Sequence, residues 1–198
     1  MKLHMVVATT CKELVFDEAM HLVEDGAAFV DLRRIDEYLD VHIPGSLALL
    51  YEFGPGMAAR ARDCLPLSLP LILSDPGGLD IDHAANSLRG KGFTVLGRVD
   101  DAINRWAQAT GGTPASTEVV RAPNAPKGTV LDVGDPGATV GSPAGMRIPI
   151  ERLWSRIDDV AGLERVVLAV GYGVRAALAV GILERAGIPD VVFWRTRG

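Results

Sequence analysis

The sequence predicts an α/β protein in two copies, each a central parallel sheet flanked by helices. Three observations predict it. Short apolar runs alternate with stretches of helical periodicity, the pattern of a parallel sheet covered on both faces. The same order returns after a Pro- and Gly-rich interval. The 198 residues are 48% hydrophobic and 23% charged, a globular balance that excludes collagen-like, coiled-coil and disordered classes.

Each element has its own signal. Lys12 to Glu24 carries Leu14, Val15, Ala19, Leu22 and Val23 at helical spacing. Ala27 to Leu32 is a short apolar run with Asp31 near its end, so a buried strand. Ile35 to Leu39 fits a short helix, and Leu69 to Ser74 a second buried strand. Ile81 to Gly90 sets Ala84, Ala85 and Leu88 on one helical face. Phe93 to Leu96 is a third strand, and Ala102 to Thr110 a helix with Ile103 and Trp106 on one face. Residues 113–127 read as a linker, punctuated by Pro114, Pro123 and Pro126. Val119-Val120 inside it suits a short strand or a packed arm. Beyond it, Thr129 to Val133 is a strand, Ile150 to Val160 helical, and Val166 to Ala169 a strand. Arg175 to Ala186 is a helix stopped by Gly187, and Val191 to Trp194 a last strand.

The repeat divides the chain into residues 1–112 and 128–198. Val30-Asp31-Leu32 answers Leu131-Asp132-Val133, and His42-Ile43-Pro44-Gly45 answers Ser142-Pro143-Ala144-Gly145. Leu88 with Gly92 answers Leu183 with Gly187. The second copy is shortened and has no counterpart of the helix around Trp106. The period is far longer than the roughly 20–50 residues of a solenoid, so this is a whole-domain duplication.

Charge and composition narrow the partners. A formal net charge of −5 offers no basic excess for neutralising phosphates, so nucleic acid is not expected. No apolar run reaches the roughly 18 residues of a membrane helix. Met1 to Ala8 does not read as a signal peptide. Cys11 and Cys64 show no metal or disulfide spacing, so a cytoplasmic location is expected.

Val30-Asp31-Leu32-Arg33-Arg34-Ile35-Asp36-Glu37-Tyr38, followed by His42-Ile43-Pro44-Gly45-Ser46, resembles the opening of a rhodanese domain. Gly92-Phe93 and Val99 to Trp106 resemble its ending, with Asp100-Asp101 where that family usually has Gly-Gly. The likeness covers nearly all of residues 12–112 and, more weakly, 128–198. It implies a tandem rhodanese, a sulfurtransferase family whose chemistry sits on a Cys-x-x-Gly-x-Arg loop between a central strand and a helix. Loop amides and the helix start converge there and would stabilise a thiolate, which takes up sulfur as a persulfide.

Neither copy has that cysteine. The second reads Val170-Gly171-Tyr172-Gly173-Val174-Arg175, with Gly173 and Arg175 on the pattern and Val170 at the nucleophile position. Counting back 13 residues from Leu88 places Asp75 at the first, in Asp75-Pro76-Gly77-Gly78-Leu79-Asp80. Asp75 is expected to accept the loop amides itself, as an N-cap does. The 171–175 loop is expected to bind a small oxyanion more readily, whereas Pro76, Gly77, Gly78 and Asp80 form a degenerate loop. The plainer alternative pairs Arg175 with a nearby acid.

Two decoys remain. Gly171 to Ala176 fits a dinucleotide fingerprint, but Asp190 precedes its strand instead of ending it. Asp75, Asp80, Asp82 and His83 have the residue types of a metal site, but Asp80 and Asp82 better suit the start of a helix. No metal or cofactor is expected. The expectation is a catalytically inactive binding, scaffold or regulatory module linked to sulfur metabolism, with a small oxyanion or a protein as partner. The alternative is a sulfurtransferase with a different nucleophile.

Overall fold

The computed structural model describes residues 9–52, 54, 56–134, 145–170 and 173–195. The first half runs α1 (Phe16–Glu24), β1 (Ala28–Asp31), α2 (Ile35–Asp40), β2 (Leu47–Ala48) and α3 (Gly56–Cys64). It continues through β3 (Leu71–Asp75), α4 (Ile81–Gly90), β4 (Val95–Asp100) and α5 (Ala102–Thr110). The second half holds β5 (Glu118–Val120), β6 (Thr129–Asp132), β7 (Met146–Arg147) and α6 (Ile150–Leu153). A 3-10 turn over Trp154–Asp159 leads on to β8 (Arg165–Val170), α7 (Gly173–Arg185) and β9 (Asp190–Arg195).

Two sheets result, both with parallel pairings. The first has the order β2-β1-β3-β4. The second, read from its β7 edge, has the order β7-β6-β8-β9, with β5 added beside β9. Val119-Val120, in the stretch expected as a linker, is therefore part of a strand of the second sheet. The other end of that stretch is tied to the first half, where Ala115 bridges His42.

The two faces of each sheet are covered differently. In the first, Phe29, Ile72 and Val99 pack beneath α1 and α5. In the second, the corresponding layer is Val167, Ala169 and Trp194, packed by Val120, Ala125 and Val130. Trp194 Nε1 donates to Ala122 O at 2.9 Å, so a strap of irregular chain covers this face. The inner faces of both sheets meet in one continuous core.

Helix α7 lies within that core. It packs on β8, β9 and α6 of its own half and on β2 and α2 of the other. Eight consecutive residues, Ala176 to Leu183, are buried. A Cβ at Gly181 would collide with the carbonyl oxygen of Ser46, so only glycine lets the helix pass β2 this closely.

The turn before β2 is clamped to the same helix. Glu184 accepts from Gly45 N at 2.7 Å and faces His42 Nε2 at 3.0 Å. Nδ1 of His42 faces Tyr38 O at 2.8 Å, and the ring stacks on Tyr38. Tyr38 donates its hydroxyl to Ser46 O at 2.7 Å. His42 is thus fully buried and held as part of the turn.

Two local readings are corrected. Residues 12–14 are not helical: Leu14 N donates to Arg98 O and Arg98 N to Lys12 O, each at 2.8 Å, so this arm runs along β4. Gly97 admits it, because a Cβ there would meet Lys12 O. Helix α3, unassigned from the sequence, buries Met57, Ala58, Ala61 and Cys64. Among the described residues no helix is long and apolar enough to cross a membrane.

Candidate functional site

Parallel strands bring their last residues to one edge, where loops and helix starts converge. In the first half that edge carries Asp31, Asp75 and Asp100, at the ends of β1, β3 and β4. Asp31 is saturated by Arg33. Its Oδ1 accepts Arg33 N and Nε at 3.0 Å, and its Oδ2 accepts Nη2 at 2.7 Å.

Asp75, at the expected nucleophile position, is 7% exposed and ends its strand. Its Oδ1 accepts Gly77 N at 2.9 Å, and its Oδ2 accepts Arg98 Nη1 at 2.5 Å. Arg98 also stands 3.6 Å from Asp100 and 3.9 Å from Glu13. The carboxylate therefore satisfies one loop amide itself and shares a cation with two further acids. Pro76, Gly77 and Gly78 follow as an irregular turn, both glycines at φ +79°. Asp80 caps α4, accepting His83 N at 2.9 Å.

A crevice of about 330 Å³ opens over this edge, lined by Arg33, Ser74, Asp75, Pro76, Asp101 and Asn104 among others. Asp101 stands at the N-cap position of α5 in a left-handed conformation, φ +51°, with no side-chain hydrogen bond to the helix amides. Asn104 Nδ2 donates to its Oδ1 at 2.7 Å, which holds the unusual backbone locally.

In the second half the counterparts are Asp132, Val170 and the start of α7. Asp132 Oδ1 accepts Gly134 N at 2.8 Å, and Arg147 stands 3.8 Å from its Oδ2. Val170 ends β8 at 1% exposure and belongs to the shared core. Gly171 and Tyr172 lie outside the described residues, as do Ser142, Pro143 and Ala144. Gly173, Val174 and Arg175 form the first turn of α7, so the helix starts two residues before its expected Arg175. Arg175 pairs with Glu151 Oε1 at 2.7 Å, and its Nη1 donates to Val133 O at 3.5 Å.

Gly173 and Val174 line a groove of about 450 Å³ between α2 and the second sheet. Arg121 and Arg195 lie in its lining, and so do Asp36 and Asp40. The groove therefore offers both signs of charge beside the helix start.

The two thiols are elsewhere. Cys11 and Cys64 are both buried and free. Burial raises the Cys11 thiol pKa. Burial, with Glu151 nearby, pushes Cys64 up to about 12. A nucleophilic cysteine needs the opposite shift, because the thiolate is the attacking species. Sequence reasoning missed one relation: Cys64 of the first half lines a cavity with Arg175 of the second. The packing of α3 on α6 brings them together.

The decoy acids do not gather. Asp80 caps α4, Asp82 Oδ1 accepts Cys11 N at 2.6 Å, and Asp75 holds Arg98. Among the described residues no three His, Cys, Asp or Glu side chains are grouped to hold a metal. Asp190 opens β9 and pairs with Arg165, at the far end of the strand from a ribose-binding acid.

No family model matches the chain, and no curated protein matches it. Among solved structures it is similar to a thiosulfate sulfurtransferase from Pseudomonas aeruginosa, at 17% identity and a TM-score of 0.38. That alignment covers 95% of this chain and 38% of the other.

Proposed function

We propose that the chain is a tandem rhodanese-like protein, with units at 1–112 and 128–198, that binds without catalysing sulfur transfer. The observation that carries this reading is the occupancy of the two strand ends where the chemistry would sit. Asp75 is tied to Arg98 and to Gly77 N, and Val170 is a buried hydrocarbon. The common strand order of the two sheets and the motif residues support the tandem reading. The raised thiols support the inactive one, since sulfur transfer needs an activated nucleophile. The groove beside the start of α7, with Arg121 and Arg195, is the surface that best suits a small oxyanion or an acidic segment of a partner protein. In this role the chain is a soluble cytoplasmic module tied to sulfur metabolism.

A thiosulfate-to-cyanide assay tests it, with thiocyanate as the readout. The expected result is no turnover above the uncatalysed rate. Turnover above that rate overturns the reading. Its loss in Cys64→Ser or in Asp75→Asn would then identify the nucleophile and establish the alternative, a sulfurtransferase.

A further inference from the structure

Helix α5 starts beside the end of β3, and its first turn is uncapped. Asp101 makes no side-chain bond to the helix amides. Among the described residues the amides of Ala102, Ile103 and Asn104 donate to no acceptor. The same three residues line the crevice of about 330 Å³ over the strand ends. With nine residues, α5 is long enough to bring the partial positive charge of a helix start to it. A second donor meets these amides. Side chains alternate along β3, so Ser74 shares the face of Ile72, which packs with Ala102 and Ile103 of α5. Ser74 is 7% exposed and lines the crevice. Its hydroxyl makes no hydrogen bond among the described residues, yet it keeps accessible surface, unlike the sealed hydroxyls of Ser46 and Thr117. Arg33 and Asp75 also line the crevice, but Arg33 is balanced by Asp31 and Asp75 by Arg98. Asp101 is the lining charge that no cation among the described residues balances.

We propose that this crevice binds a small neutral ligand bearing a primary carboxamide. The carbonyl oxygen of the ligand accepts from the α5 amides and from the Ser74 hydroxyl, and its NH2 group donates to the Asp101 carboxylate. Converging donors call for an acceptor, while the unbalanced charge of Asp101 opposes an anion. A carboxamide supplies the acceptor without a charge, and a donor for the carboxylate as well. The carboxylate of the same shape adds a like charge beside Asp101 and has nothing to donate to it. The volume stands at the low end of ligand pockets, which suits a ligand of a few heavy atoms. The proposal goes beyond the reading above: it concerns binding at the start of α5 and involves neither sulfur transfer nor the groove beside α7.

An amide-detected NMR titration of the full chain tests it, with propionamide and propionate as probes. Propionamide should shift the amide signals of Ala102, Ile103 and Asn104 saturably. Propionate should bind about tenfold more weakly, because it brings a like charge to Asp101. Ser74→Ala should weaken propionamide about fivefold, the loss of one hydrogen bond. Asp101→Gly keeps the left-handed backbone, and it should weaken propionamide while strengthening propionate. Melting curves verify that both variants fold. Absence of saturable shifts overturns the proposal, and so do shifts that spare residues 102–104 or equal affinity for the two probes. These three outcomes are read on the parent chain and decide even where a variant fails to fold. A folded Ser74→Ala variant that binds propionamide as the parent does, or a folded Asp101→Gly variant that keeps the parental preference, overturns it too.

Discussion

Cys64 shows how one side chain can carry the signature of a buried group instead of a reactive one. It is 4% exposed, and burial pushes its pKa up to about 12. In the unfolded chain a thiol ionises near pH ~8.5. Between those values the unfolded state binds fewer protons than the folded one, so stability falls as pH rises. Cys64→Ala removes that contribution. The stability gap between wild type and Cys64→Ala should therefore narrow from about pH 8.5 upward, as read by urea denaturation at several pH values. A constant gap would mean that the thiol is not held in its protonated form. Asp75 is a second case at this scale. Its place at a strand end was legible from the apolar run Leu69 to Ser74 and from spacing to Leu88 and Gly92. Its partner Arg98 was not, because cross-strand pairing joins residues with no sequence signal between them.

Among the elements, the buried strands were the most legible, since continuous apolar runs have few other uses. Helix α3 was not assigned, although Met57, Ala58, Ala61 and Cys64 lie at helical spacing. Its apolar face is made mostly of alanine and cysteine, which contribute little contrast to a hydrophobic pattern. The first helix was read too early because Leu14 and Val15 extend its periodicity by chance, while Leu14 packs from an arm on β4. The docking of the His42 to Gly45 turn on α7 joins residues 142 apart and had no sequence signal. Glu184 serves two donors there. Glu184→Ala should cost about 2–3 kcal/mol, since it strands Gly45 N and His42 Nε2 beneath the helix. Glu184→Gln should cost roughly half as much, because an amide can still accept from Gly45 N and donate to the ring. Denaturation midpoints with unchanged m-values would measure both; equal losses for the two variants would show that charge, not hydrogen-bond shape, holds the turn.

For the whole molecule, sequence reading gave two units and a linker, and the packing adds one shared core. Tyr38, Leu47, Met57 and Leu73 of the first half belong to the same buried cluster as Leu131, Leu168 and Ala179 of the second. A fragment of residues 1–112 would expose β2 and the faces of α2 and α3 that α6 and α7 cover. It should bind a hydrophobic dye and unfold with low cooperativity, whereas the full chain should show one sharp transition. A fragment as cooperative as the full chain, with no dye binding, would show that the halves fold independently. The continuity of the core was not legible because both halves carry complete strand patterns, and nothing in a strand pattern says which chain segment covers it.

Four of the eight buried residues of α7 are small: Ala176, Ala177, Ala179 and Gly181. Their volumes set how far apart the two halves stand. The same helix lines the α2–α7 groove through Gly173 and Val174 and the α3–α6 cavity through Arg175 and Leu178, so a shift of α7 would change the widths of both. Enlarging any of these side chains would act as a wedge at the pivot, changing the aperture of two clefts whose own linings are untouched.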